Sequence, residues 1–173
     1  MFTKTKCNAR KTINESIHHS IRQVMSEEDF HSVEKFLVPA AEEGDRWTLD
    51  WVRWYTHYIT RPNTTAEDIS WADILMQVYH AQNVPVSAEY AENHHVWPVC
   101  LFGANEDDGN LRRITAALHL RCHAALCYIF PSVSGLHYAL NMMVGVYTSI
   151  EKCPPTTDTL IQDILNGSVF SHQ

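Results

Sequence analysis

Only six glycines occur in 173 residues. That leaves little material for a phosphate-cradling loop, and the chain contains no Gly-rich nucleotide loop, no Gly-x-Ser-x-Gly elbow and no His-Glu-x-x-His helix. Nucleotide hydrolysis in its common forms is therefore disfavoured. Long apolar runs are also missing. The longest, Ala124 to Phe130, falls far short of the roughly 18 residues that a membrane-spanning helix needs. The first seven residues, Met1 to Cys7, carry positive charge but no apolar stretch and no small-residue cleavage site, so an export signal is not expected. Cysteine is scarce and odd in number, five in all. No common disulfide framework fits the spacings, which points to a reducing compartment, cytoplasmic or nuclear.

Positive charge is in short supply as well. Thirteen Lys and Arg face twenty Asp and Glu, for a formal charge of −7, and a chain of that sign repels a phosphate backbone unless its basic residues are grouped. The evident group is at the start, at Lys4, Lys6, Arg10 and Lys11. Nucleic acid is accordingly disfavoured as a partner.

What the chain does have is a folding composition, 45% hydrophobic and 10% aromatic, and a length suited to one domain with a substantial core. Apolar residues recur at helical spacing in several segments. Ile13, Ile17, Ile21, Val24 and Met25 form a first helix, and Ser26 caps a second carrying Phe30, Val33, Phe36 and Leu37 up to Pro39. Trp47, Trp51, Trp54, Tyr55 and Tyr58 mark an aromatic helix ended by Arg61-Pro62. Thr64 or Thr65 caps the next, through Ile74, Leu75 and Val78. Leu111, Ile114, Leu118, Ala125 and Leu126 suggest a long helix, Leu136 to Ile150 another, and Leu160 to Leu165 a short last one. Pro98 and its β-branched and aromatic neighbours make 96 to 102 read as extended, with 126 to 130 as the strand it could pair with. The expectation is a mainly α single-domain bundle of about seven helices, with at most that one short strand pair. Residues 1–11 would be a basic arm, 12–167 the globular body and 168–173 a tail.

The most suggestive chemistry lies between residues 94 and 127, where His94, His95, Cys100, His119, Cys122, His123 and Cys127 fall close together. On a helix, His119, His123 and Cys127 share one face at i, i+4 and i+8, with Cys122 beside them. Imidazole and thiolate are zinc ligands, so His94, Cys100, His119, Cys122, His123 and Cys127 form a candidate metal site, with zinc as the cofactor it suits. The spacing His94-x5-Cys100-x18-His119-x2-Cys122 resembles the His-Cys-Cys-His zinc element of lentiviral Vif proteins. The third and fourth ligand types are exchanged here and that family's flanking pattern is absent, so no fold or activity follows from it. The plainer alternative is burial, since Cys is among the most buried residue types and a helical His often bonds a carbonyl.

Two catalytic readings stand beside the structural one. A thiol hydrolase would use Cys100 or Cys122 as nucleophile and His95, His123 or His137 as base. A redox or metal sensor would use Cys122 and Cys127. Asp108-Gly109-Asn110 resembles the opening of the Asp-Gly-Asn-Cys element of ovarian-tumour-type deubiquitinases, but Leu111 stands at the nucleophile position. With no catalytic motif in evidence, no catalytic residue is assigned. The favoured expectation is a non-catalytic module that binds another protein, an adaptor, inhibitor or accessory protein with a structural zinc. Trp47, Trp51, Trp54, Tyr55 and Arg53 are its candidate interface, because Trp, Tyr and Arg dominate binding hot spots. Burial in the core is the commoner fate of such an aromatic stripe. Oligomeric state is not legible.

Overall fold

The structure is a computed structural model, and it describes residues 21–39, 47–102, 110–149 and 155–167. The side chains at 38, 39, 47, 48 and 155–158 are outside that description. The basic arm, the C-terminal tail and most of the first expected helix lie outside it too; of that helix, residues 21–24 are described and helical.

Helix α1 spans Glu27–Glu34, capped by Ser26, whose hydroxyl accepts from the Asp29 amide, and three acids occupy its first turn. Acidic groups there complement the positive end of the helix dipole. A short antiparallel pair follows, β1 (Leu37–Pro39) with β2 (Trp47–Leu49). The aromatic helix therefore starts later than expected: Trp47 is in a strand, and α2 runs Trp51–Thr60. Asp50 causes the delay, since its carboxylate caps α2 by accepting from the Arg53 amide at 3.2 Å. Helix α3, Ala66–Tyr79, has a full capping box: Thr65 accepts from the Asp68 amide at 3.0 Å, and the Asp68 carboxylate accepts from the Thr65 amide at 2.8 Å.

The second half holds β3 (Ala91–His95), a single helical turn α4 (Val99–Phe102), β4 (Leu111–Thr115), α5 (Ala116–Ile129), α6 (Ser134–Ser149) and α7 (Pro155–Leu165). The expected mainly α-helical bundle is what forms, but its strand pair differs in place. Strands β3 and β4 pair antiparallel, with Glu92 opposite Ile114, Asn93 opposite Arg113, His94 opposite Arg112 and His95 opposite Leu111. Residues 99–102 are helical instead, with Pro98 at the start of the turn, where its carbonyl accepts from the Leu101 amide; proline is tolerated there because the missing N–H would have no partner anyway. Residues 126–129 complete α5. That segment looks like a strand because α5 is buried on most sides, so the polar stripe that identifies a surface helix is absent.

Helix α5 is central, packing against α3, α6 and α7 and against both strands of the β3–β4 pair. The aromatic cluster lies in the same core: Trp54, fully buried, stands edge-on to Trp51 at 5.4 Å and 5.8 Å from Phe130. Tyr55 is half-buried and donates its hydroxyl to Asp73 on α3 at 2.5 Å, while Arg53 is exposed beside Asp50. Among the described residues no helix is long and apolar enough to cross a membrane. Thr65→Ala removes half of the α3 capping box and is expected to lower unfolding free energy by about 1 kcal/mol, with Thr65→Ser close to unchanged, as read by urea denaturation.

Candidate metal centre

Strand β3 alternates, so Glu92 and His94 share one face, and that face looks onto α5. Helix α5 starts directly after β4, its first turn capped by Thr115, whose hydroxyl accepts from the Leu118 amide. His119 and His123, one turn apart on α5, are thereby held against His94. Ligand atoms of the three imidazoles all lie within 4.8 Å of one another. The ring of His94 is edge-on to both others, with centroids 4.8 Å from His119 and 5.3 Å from His123.

The hydrogen bonds determine which nitrogens face inward. His119 Nδ1 is 2.7 Å from a Glu92 carboxylate oxygen, which also accepts from the Tyr147 hydroxyl at 2.5 Å. A carboxylate only accepts, so His119 Nδ1 carries the proton and Nε2 keeps its lone pair. That Nε2 is 3.2 Å from Nε2 of His123. Two nitrogens bound to one tetrahedral ion at about 2.0–2.1 Å would be roughly 3.3 Å apart, so the pair is already at ligand spacing. The carboxylate behind His119 is the outer partner that orients a metal-bound imidazole.

Electrostatics favour neutral ligands. Burial, and next the nearby His119, His123 and His95, hold the His94 pKa well below the ordinary imidazole value. Burial, reinforced by His119, pushes His123 down to about 3. Burial also lowers His119, against the opposing pull of Glu92. A neutral imidazole is the form that binds a metal, so three are ready at neutral pH. His123 Nδ1 is buried with no hydrogen-bond partner among the described residues. The donor set thus fits a divalent cation, with three protein ligands and a fourth side facing a cavity of about 460 Å³. That cavity is lined by His94, His95, His119 and His123 together with Cys100, Leu126, Leu136 and Ala139.

Three of the six residues expected as ligands, His94, His119 and His123, come together in this cluster. Cys122 is next to it, its buried Sγ 3.3 Å from His94 Nε2. Cys127 is buried farther along α5, and Cys100, on α4, is exposed and lines the same cavity without joining the cluster. Three contributors escaped sequence reasoning: Glu92, Tyr147 and Asn110. The side chain of Asn110 is fully buried, accepts from the Trp97 amide at 2.7 Å and donates to the Trp97 carbonyl, while its own carbonyl accepts from the Val96 amide. It closes the loop just beyond the His95–Leu111 pair and fixes the direction in which β3 leaves the site. A polar residue in an acidic, turn-prone stretch gives no signal of this; the available hint was the Glu92-x-His94 alternation on a would-be strand.

Removing the outer partner tests the geometry. Glu92→Ala is expected to weaken divalent-metal binding by about ten- to a hundredfold in calorimetric titration, and His119→Ala to abolish it. At a metal concentration a hundred times its Kd, the wild-type chain gains about 2.7 kcal/mol of stability and the His119→Ala chain gains none, which thermal melts resolve.

No protein-family model matches this chain, and no solved structure matches it. A similarity to a curated protein does exist. A probable mobile endonuclease of Enterobacteria phage T4 is 41% identical over 59 residues, a segment covering 34% of this chain and 40% of that protein. Two expectations are corrected by that finding: the non-catalytic protein-binding module, and the exclusion of nucleic acid as a partner. The thiol alternatives gain nothing from the geometry either. Cys122 and Cys127 are buried, Cys100 is exposed on the cavity, and burial raises all three thiols, Cys127 to about 12, away from the thiolate form that a nucleophile or sensor requires. Net charge, the ground for excluding nucleic acid, averages over the chain. No acid occurs from Gly109 to Ile150, a stretch that carries Arg112, Arg113 and Arg121 together with His119 and His123.

Proposed function

We propose that this protein is a metal-dependent nuclease that hydrolyses phosphodiester bonds, with His94, His119 and His123 holding one divalent ion, zinc among the candidates. The observation that carries the reading is the convergence of three neutral imidazoles with an open side on a cavity that also presents His95. Structural zinc sites are usually closed by four protein ligands, whereas catalytic ones leave a position free. Similarity to a probable mobile endonuclease supports the same direction.

When bound, the ion would supply Lewis acidity to a phosphoryl oxygen and neutralise charge that builds up in the transition state. The chain's own groups do the rest. His95 follows His94 on β3, so its ring projects to the other side of the strand while still lining the cavity. There it accepts a proton from the attacking water as that oxygen bonds to phosphorus and the bond to the leaving oxygen breaks. Glu92 and Tyr147 keep His119 in one tautomer, and Asn110 holds the β3 exit that places His95. Arg112 and Arg113 on β4 and Arg121 on α5 belong to the elements that build the site and supply positive charge for flanking phosphates. Three free cysteines among the described residues suit a cytoplasmic or nuclear setting.

Hydrolysis of bis(p-nitrophenyl) phosphate and cleavage of plasmid DNA, each with and without a chelator, test the proposal. Expected are chelator-sensitive turnover, a loss of about 10²–10⁴ in kcat for His95→Ala with metal content retained, and loss of both metal and turnover for His119→Ala. Stoichiometric metal with no hydrolysis of either substrate under any divalent ion would overturn it.

A further inference from the structure

Two of the three histidines in the cluster have their outer nitrogen accounted for differently. His119 leans on a carboxylate, whereas His94 meets sulfur: Cys122 Sγ is 3.3 Å from His94 Nε2, and both groups are buried. The position is not incidental to the helix. Cys122 sits three residues after His119 and one before His123, so α5 turns its thiol to the strand while those imidazoles point to the common centre. A neutral imidazole has one N–H and one lone pair. With Nε2 engaged by Cys122, the atom of His94 left for an ion is Nδ1, and it has a lone pair only when Nε2 carries the proton.

We infer that Cys122 is a positioning residue rather than a metal ligand: its Sγ accepts the Nε2–H of His94 and thereby presents Nδ1 to the cation. This rests on the metal-centre reading above. The choice of sulfur has a chemical consequence. A carboxylate behind a ligand imidazole raises its basicity, and a neutral thiol is a weak acceptor that does so far less. One strongly donating histidine and one weakly donating one leave the ion more acidic than a pair backed by carboxylates. The residue also seals that side of the site from water, since it is 2% exposed.

Cobalt titration of the full chain, read by absorption and calorimetry, tests this with three proteins: wild type, Cys122→Ser and Cys122→Val. The wild type is expected to show the visible bands of a nitrogen-ligated ion and no thiolate-to-cobalt charge-transfer band. Cys122→Ser, whose hydroxyl also accepts, retains affinity within a few-fold, while Cys122→Val loses about ten- to a hundredfold. Nitrogen-15 spectra of the zinc-loaded wild type are expected to show His94 protonated at Nε2. A charge-transfer band absent from Cys122→Ser would make Cys122 a direct ligand and overturn the inference; so would wild-type affinity in Cys122→Val, which would reduce Cys122 to packing. A wild-type chain that binds no cobalt would instead sink the metal centre itself, and this role with it.

Discussion

Everything at the site depends on the packing of one two-stranded antiparallel pair onto the first half of α5. Strand β4 runs straight into that helix, with Thr115 ending the one and capping the other. The Tyr90 carbonyl accepts from the Ala116 amide at 2.6 Å, which ties the start of β3 to the start of α5. With both ends joined in this way, the inner face of β3 cannot avoid the His119–His123 face of the helix. Tyr90 holds a positive φ of 57° to make the junction, a conformation that costs a non-glycine residue about 1–2 kcal/mol. The surrounding contacts have to offset that strain.

The same packing sets the electrostatics. Three imidazoles packed together, His94 buried and His119 and His123 half-buried, cannot all be protonated, because burial and mutual repulsion both disfavour the charged form. One neighbour, Glu92, works in the opposite sense on His119 alone, and it does so while fixing the tautomer that turns Nε2 inward. A cluster of lone pairs that is neutral, buried and closely spaced is unfavourable by itself, and a divalent cation is the natural group to relieve it. Proton and cation would compete for the same nitrogens, and burial weakens the proton's side of that competition by lowering the imidazole pKa values.

Much of the helical body was legible from pattern. The Ser26 cap, the Thr65 capping box and the Arg61-Pro62 stop lie where side-chain chemistry demands them, and the Trp51–Trp54–Tyr58 stripe went to the core as aromatic periodicity implies, whereas the second helix ends at Glu34, short of the expected Pro39, and Leu37–Pro39 forms β1. The misplacements in the second half share one cause. Ala91–His95 and Leu111–Thr115 are polar strands lacking hydrophobic alternation, and α5 is a helix lacking a polar face, so in both cases the signal that periodicity reads is missing. The candidate site was hard to read for a related reason. A motif search recognises contiguous signatures, but the cluster is assembled from a strand and a helix some 25 residues apart, with Glu92 from the same strand and Tyr147 and Asn110 from two further pieces. Net charge likewise described the whole chain and concealed an acid-free stretch of more than forty residues around the site.

By itself, the sequence determined the helical class, the cap and stop positions, and a pool of imidazole and thiol groups between residues 94 and 127 from which a metal site could be drawn. Local chemistry suffices for these because caps, breakers and ligand types act over a few residues. Which members of that pool meet was decided by tertiary structure: His94, His119 and His123 around one centre, Cys122 behind His94, and Cys100 and Cys127 apart from it. Ligand geometry depends on the angle and register at which a strand lies on a helix, and that is set by pairing and burial across the whole fold, not by spacing along the chain.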